Sequence, residues 1–422
     1  MKITHVTSTD LQGGAARSAY RLHQGLVRAG AESKMFVEFR ESDVPDVVAF
    51  RYPSGQLSRV RRLVRRLSLN RTEVKLTKAR SWNASPFSND RSRHGAQILE
   101  QLPPWDILHL HWVAGMLDYS EFFCHVPKDR PIVWTLHDMH PFTGGCHFSG
   151  NCARFSESCG SCPQLNSSNP LDFSRQSLAR KRSGYRTLQP GRLNLVTPSK
   201  WLAGEVRRSS LLSNREVTVI PYGLDTGVFK PRDRAAAREL FELPAGRQIV
   251  LFLADRANEH RKGLPLLVEA LKALPDRCNV CLLILGNGRV ELPDDFQTVR
   301  LEYVRNDRVL SLIYSAADIF ALPVLQDNLP NTALEAMACG LPIVAFATGG
   351  VPDMVRDGEE GWVVPPGDVA ALGQALAAAL RDHPRRALMA SNARLRAVQE
   401  YGIDLQAQRY LELYRSLSQR AC

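Results

Sequence analysis

The sequence predicts an α/β protein of two doubly wound, mostly parallel sheets facing across a cleft. Three observations carry this. Short apolar runs alternate with helical patterns through both halves, as parallel sheets with crossover helices require. Several runs, QIVLFL at Gln248–Leu253 above all, are continuously apolar, as a strand buried on both faces must be. The 422 residues suit two or three domains, and a stretch rich in Pro, Gly and charge, Pro221–Ala245, separates the halves as a linker.

The first half opens with a strand at Ile3–Ser8, a loop at Asp10–Gly14, and a helical pattern from Ala15 to Ala29 that stops at Gly30, a natural helix-terminating glycine. Strands follow at Lys34–Phe39, Ile107–His111, Ile132–Leu136 and Leu193–Thr197. In the second half Asn279–Leu285, Ile319–Leu322 and Pro342–Ala345 read like Gln248–Leu253. Helical patterns lie between and after them at Pro265–Ala273, Arg308–Ala316, Asn331–Ala338 and Asp368–Arg381. The predicted division is residues 1–222, with a Cys-rich insertion at 140–165; residues 223–400; and a C-terminal helix, 401–422, packing back on the first domain. In doubly wound sheets ligands bind beyond the carboxyl ends of the strands, so two such domains would bring two ligand-binding edges to one cleft.

Apolar residues make up 44% of the chain and charged residues 23%, which excludes a disordered chain, a collagen-like repeat and a disulfide-dense miniprotein. The net charge of +11 is local, because residues 59–80 hold nine Lys/Arg and one acid. That pattern argues against a nucleic-acid binder as a whole. No apolar leader opens the chain and no run of 18 or more apolar residues follows, so the sequence predicts a cytoplasmic protein without a membrane-spanning helix. Its nine cysteines would then be mostly reduced thiols or metal ligands.

Two segments could carry chemistry. In LPVLQDNLPNTALEAMACG (322–340) a strand ends, a loop follows, and a helix begins near Asn331–Thr332, where amide groups and the helix dipole suit a phosphate. Asp327 on that loop could accept hydrogen bonds from sugar hydroxyls, and Glu335 in the helix from ribose hydroxyls; spacing alone favours two surface acids on a capped amphipathic helix. In ADRANEHRKG (254–263), Arg256 and Lys262 could neutralise a diphosphate, one as a fork and one as a point charge, or belong to a solvated basic loop.

These residues sit in a longer pattern. IPYGLD (220–225), R-x5-KG (256–263), LGNG (285–288), YSAADIFALP (314–323), DNLPNTALEAMACGLPIVA (327–345) and TGGVPDMVRDGEEGWVVPPGD (348–368) occur in the order found in family 4 retaining glycosyltransferases. The second half resembles that family closely; the first half is matched more loosely, through its GG loop and the HLH and TLHD segments. The resemblance implies the GT-B fold of two Rossmann-like domains, and a nucleotide-sugar donor, a UDP- or GDP-sugar, held mainly by the second domain. Arg256 and Lys262 match the family's diphosphate contacts, and Glu335 its ribose-binding carboxylate. Asp327 stands where the family usually has Glu and would contact the transferred sugar with a shorter side chain. Backbone amides near Leu329, Asn331 and Thr332 would meet the phosphates, Tyr303 and Val304 lie where the base packs, and Gly286 belongs to the donor-side LGNG segment.

On the first half, Gly13 and Gly14 match a loop at the cleft floor and complete the predicted binding set, since glycine lets backbone approach a ligand closely. A plain strand-to-helix turn would use the same glycines. His137 in TLHD matches a histidine beside the reacting sugar and joins Arg256, Lys262 and Asp327 in the predicted catalytic set. His111 at another strand end is read as structural, and Asp138 either orients His137 or caps a turn. The family retains anomeric configuration by same-face attack, so positioning and stabilisation of the leaving diphosphate replace an enzyme nucleophile. No aspartate pair of the metal-dependent kind stands out, and no catalytic cofactor is expected.

Two features remain. GGCHFSGNCARFSESCGSCPQ places Cys146, Cys152, Cys159 and Cys162 within seventeen residues, a set suited to structural Zn²⁺. Reduced thiols, an iron–sulfur cluster or, after export, a disulfide are the alternatives, with His140 and His147 as substitute ligands. Cys278 and Cys281 read as strand core. In the basic stretch, Leu57, Val60, Leu63, Val64 and Leu67 fall on one helix face, which would either pack on the domain or lie on the anionic inner face of the cytoplasmic membrane, where family members often meet lipid-linked acceptors. RNA binding ranks behind both, because no aromatic platform accompanies the charge.

The resemblance therefore implies a hexosyltransferase-type enzyme that extends a glycan or a lipid-linked acceptor in cell-surface polysaccharide biosynthesis. A nucleotide-sugar epimerase or hydrolase on the same fold, and a non-enzymatic membrane or nucleic-acid adaptor, are the rivals. A dinucleotide dehydrogenase is disfavoured, because LGNGRVE lacks the third glycine of G-x-G-x-x-G.

Overall fold

The computed structural model describes residues 1–52, 56–78, 80, 85–288, 292 and 297–420, with the backbone alone for 56–62. The chain forms two compact units, Met1–Pro221 with Gln406–Cys422, and Tyr222–Leu405.

Among the described residues the first unit holds seven strands: β1 (Lys2–Thr9), β2 (Glu32–Phe39), β3 (Val47–Ala49), β4 (Ile107–Leu110), β5 (Ile132–Thr135), β6 (Leu193–Thr197) and β7 (Val217–Val219). They pair in the order β3-β2-β1-β4-β5-β6-β7, all parallel. The order reverses between β1 and β4, the switch point at which such sheets bind ligands. Side chains alternate between faces. Leu108, Leu110 and Trp134 enter one core with Phe122 and Leu202. Ile3, Ile107, Val133 and Val196 enter the other, which the last helix, Ile403–Arg420, closes with Tyr410 and Tyr414.

The second unit holds β8 (Gln248–Arg256), β9 (Val280–Asn287), β10 (Gln297–Leu301), β11 (Ile319–Leu322), β12 (Ile343–Phe346) and β13 (Gly361–Val364). Their order is β10-β9-β8-β11-β12-β13, again parallel, with the switch point between β8 and β11. Ile249 and Leu251 face one core, Val250 and Phe252 the other. This two-face burial is why QIVLFL shows no polar alternation.

Three expectations change. Pro221–Ala245 is not a linker. Tyr222, Leu224, Phe229, Ala237 and Leu243 are buried in the second unit's core, and Arg234–Leu240 is a helix capped by Asp233. The second unit also extends past residue 400: Tyr401 is buried in its core and Ile403 N–H donates to Leu224 O at 3.0 Å. Cys281 is core, but Cys278 lies on an exposed turn before β9.

The basic stretch is a helix, Gln56–Lys78, but it docks by another face. Leu69 and Leu76 are buried, and Arg65 reaches Asp118 and Glu121 at 2.5 and 2.7 Å. Leu63, Val64 and Leu67, on the face offered either to the domain or to a membrane, are exposed; the side chains of Leu57 and Val60 and residue 79 lie outside the described residues.

Candidate functional site

Loops leaving β8, β11 and β12 converge at the second unit's switch point. After β8 the chain makes a short 3-10 turn, His260–Lys262, ended by Gly263. Gly263 sits at φ +75°, and a Cβ there would lie 1.8 Å from Pro323 O, so both conformation and space require glycine. That approach presses the basic turn onto the loop after β11. Lys262 Nζ donates to Asp327 Oδ2 at 2.7 Å, and Arg261 Nη1 to the same oxygen at 3.1 Å. Arg261 also donates to Gln326 O at 2.6 Å and accepts Leu325 N–H at 2.8 Å. From the β12 side, Gly350 N–H donates to Asp327 O at 3.2 Å, while a Cβ on Gly349 would lie 1.7 Å from that oxygen.

Burial pushes the Asp327 carboxyl up, and Lys262 with Arg261 overcomes it, holding the group at about 2. It is therefore an anion, set beside two cations, in a largely desolvated loop.

Eight residues on, Glu335 is buried rather than a surface acid, and accepts from Tyr314 Oη at 2.9 Å. Its helix, Asn331–Ala338, starts after Pro330, which offers no side-chain cap; Ala333 and Leu334 N–H turn back to Pro330 O at 3.0 and 3.3 Å. Asn331 and Thr332 are half-buried at that start; the Leu329 side chain belongs to the core, leaving its backbone to the loop. Arg256 is exposed at the end of β8, opposite Asn287 of β9. Gly286 is explained by strand packing, because a Cβ would lie 1.8 Å from Ala254 O. Tyr303 and Val304 follow β10, two strands from β8, with Val304 packed on the core. The structure thus joins Lys262 to Asp327 and sets Glu335 nearby in chain; the hydrogen bonds and ion pairs of Asp327 come from Lys262 and Arg261 rather than from Arg256. Arg261, which takes the second cation's place, was hidden in sequence as one more charge in a basic loop.

In the first unit Gly13 and Gly14 open the helix after β1, and Gly13 holds φ +83° with open space beside it, so conformation alone requires glycine. His137, after β5, borders a pocket of about 190 Å³ with Trp112, Asp138 and His140. Behind it runs a chain of imidazoles. His137 Nε2 lies 3.1 Å from His111 Nδ1, and His111 Nε2 lies 2.9 Å from His5 Nδ1. His109 joins the cluster through its rings, and its nitrogens meet Thr135 Oγ1 at 2.8 Å and Tyr414 Oη at 2.6 Å. Among the described residues His5 Nε2 has no hydrogen-bond partner. Burial lowers the pKa of all four, His137 to about 4, so the rings are neutral at pH 7. A neutral ring donates through one nitrogen and accepts through the other, so the tautomer of His137 is tied to those of His111 and His5. The signal for His5 was register: it faces His109 across β1 and β4.

Asp138 takes the turn-capping role: Oδ1 accepts His140 N–H at 2.8 Å, while Oδ2 accepts from Trp112 at 2.9 Å and His147 at 2.6 Å. His147 also meets Ser88 Oγ at 2.7 Å and His140 meets Tyr119 Oη at 3.1 Å, so neither histidine serves the cysteines. Cys146, Cys152, Cys159 and Cys162 line one pocket of their own, with no disulfide among them.

Comparison with known proteins shows the family. Residues 12–228 match the family model described as Glycosyltransferase Family 4, and residues 247–382 that of Glycosyl transferases group 1. A D-inositol 3-phosphate glycosyltransferase of Xylanimonas cellulosilytica is 33% identical over 220 residues, 48% of this chain and 52% of that protein. The chain thus spans about half the length of that curated relative. The fold is also that of sucrose-phosphate synthase from Thermosynechococcus elongatus, with a TM-score of 0.67, 19% identity and 99% of each chain covered. Anabaena Alr3699/HepE, solved in complex with UDP-glucose, superposes with a TM-score of 0.65 at 17% identity, covering 99% of this chain and 100% of that one. With more than half its length matched by the family model and a GT-B fold throughout, the chain belongs to Glycosyltransferase Family 4.

Proposed function

We propose that the protein is a retaining glycosyltransferase that moves a sugar from a UDP- or GDP-sugar to a glycan or lipid-linked acceptor in cell-surface polysaccharide biosynthesis. The observation that carries the reading is the Arg261–Lys262–Asp327 cluster at the β8/β11 switch point, with buried Glu335 following it. A diphosphate beside Lys262 would share the ammonium that Asp327 now holds. Lys262, the opening amides of the helix Asn331–Ala338 and Arg256 would then stabilise negative charge developing on the leaving group. Asp327, fixed from three loops, would meet the transferred sugar's hydroxyls, Glu335 the ribose, Gly286 and Leu329 the donor's backbone contacts, and Tyr303 with Val304 the base. On the acceptor side, Gly13 and Gly14 allow close approach, and neutral His137, its tautomer tied to His111, would stand beside the reacting sugar. No catalytic cofactor is invoked. That Alr3699/HepE was solved with UDP-glucose supports a nucleotide-sugar donor here.

The exposed face of the helix Gln56–Lys78 supports a place on an anionic lipid surface. Leu63, Leu67 and Val74 align opposite the buried Leu69 and Leu76, flanked by exposed Arg71, Lys75 and Lys78. Among the described residues no helix is long and apolar enough to cross a membrane. Vesicles rich in phosphatidylglycerol should retain the protein at low salt, and Leu63→Asp with Leu67→Asp should release it.

Incubation with UDP- and GDP-sugars and a lipid-linked acceptor extract tests the activity. Sugar appearing on the acceptor with its anomeric configuration kept supports the reading. Donor that is only hydrolysed or epimerised, with no transfer to any acceptor, favours the rival enzymes.

A further inference from the structure

We infer that Cys146, Cys152, Cys159 and Cys162 form a structural Zn²⁺ site that holds the insertion between β5 and the helix Phe173–Arg186. All four thiols line one pocket of about 300 Å³, although they come from three separate turns. Cys146 sits on a bridge to Phe87. Cys159, Gly160 and Ser161 run through three successive left-handed conformations, at φ of 53°, 97° and 42°. Only glycine adopts that region freely, so a Cys-Gly-Ser-Cys turn holding two non-glycine residues there is held by something outside itself. Part of the hold is visible: Arg154 donates to Gly160 O at 3.2 Å and to Ser161 O, Ser174 accepts Gly160 N–H at 2.9 Å, and Asp172 accepts Cys162 N–H at 2.7 Å.

The cysteines themselves sit in a small core. Around them are Leu76, Phe87 and Leu165, while Phe142 and Phe155 tie other turns of the insertion to the first unit's main core. The charge environment also suits a metal thiolate. Four cysteinates around Zn²⁺ carry a net charge of −2, and Arg80 faces Cys146 and Cys162, Lys181 faces Cys146 and Cys159, and Arg154 borders the pocket. Among the described residues no three of the sulfurs lie within 4.8 Å of one another. Zinc would draw them to about 3.8 Å, the edge of a tetrahedron with Zn–S of about 2.3 Å. Binding exchanges four S–H bonds for four Zn–S bonds and releases four protons to solvent.

The test is elemental analysis and native mass spectrometry of the full chain, purified without chelator. One zinc per chain is expected, released in step with mercurial modification of four thiols, and lost in Cys159→Ser but kept in Cys278→Ser. Exchange with Co²⁺ should give thiolate-to-cobalt charge-transfer bands in the wild type. Folded wild-type protein with no stoichiometric zinc, with two disulfides among these cysteines, or with iron and acid-labile sulfide instead would overturn the assignment. The wild-type measurement decides even if Cys159→Ser does not fold.

Discussion

Lys262 Nζ lies 2.7 Å from Asp327 Oδ2, across a gap of 65 residues in sequence. The pair ties the loop after β8 to the loop after β11, and Arg261 meets the same oxygen at 3.1 Å. A cation that would serve a diphosphate is therefore stored on a carboxylate that would serve a sugar. One side chain, Asp327, sets both the resting position of Lys262 and the rigidity of the loop.

That arrangement has a pH signature. Asp327 titrates at about 2 in the folded protein against 3.8 unfolded. Its stabilisation is complete above the unfolded value and is lost as pH falls through the folded one. Between about pH 5 and pH 2 it should remove about 2 kcal/mol of stability. Asp327→Asn should lose that component of the acid limb, measured by urea unfolding across the range.

The histidine chain gives a second window, at higher pH. His137 is held near 4 against 6.5 unfolded, because burial outweighs the pull of Asp138. A buried neutral base stabilises the fold above its unfolded pKa and loses that contribution as pH falls toward the folded one. From pH 7 to pH 4 His137 should account for about 3 kcal/mol, and His5, His109 and His111 steepen the same limb. His137→Gln should flatten it; an unchanged slope would place the imidazoles in water rather than in the core.

Tyr314→Phe removes one hydroxyl from a buried carboxylate. Glu335 then lacks a donor that approaches to 2.9 Å, a loss of about 1–3 kcal/mol. The denaturation midpoint should fall accordingly, and nucleotide affinity should fall with it if Glu335 holds the ribose. A variant as stable as the wild type would mean that water replaces the hydroxyl.

Much of the fold was legible because parallel strands buried on both faces cannot hide. Ile319–Leu322, Leu193–Thr197 and the helix Asn331–Ala338 stand where their patterns put them. The elements that escaped are those whose burial is set by neighbours: β3 and β7 have three residues each at the sheet edge, and β10 alternates polar and apolar at another. Tyr222–Leu243 read as a linker because Pro, Gly and charge outnumber its five anchoring side chains. The basic helix showed its apolar face plainly, but Arg65, Leu69 and Leu76, not that face, dock it. The motifs singled out Lys262, Asp327 and Glu335, and the fold pairs the first two; Arg261 and His5 needed the sheet to bring their partners.

Thermal unfolding with UDP-, GDP- and ADP-sugars probes the nucleotide-sugar site proposed at the Arg261–Lys262–Asp327 cluster. One of them, at 100 times its dissociation constant, should stabilise the wild type by about 2.7 kcal/mol. Lys262→Ala, which removes a charge-assisted contact of about 1.5–3 kcal/mol, should weaken that ligand at least tenfold. Stabilisation by none of them in the folded wild type, or full stabilisation in Lys262→Ala, would contradict it.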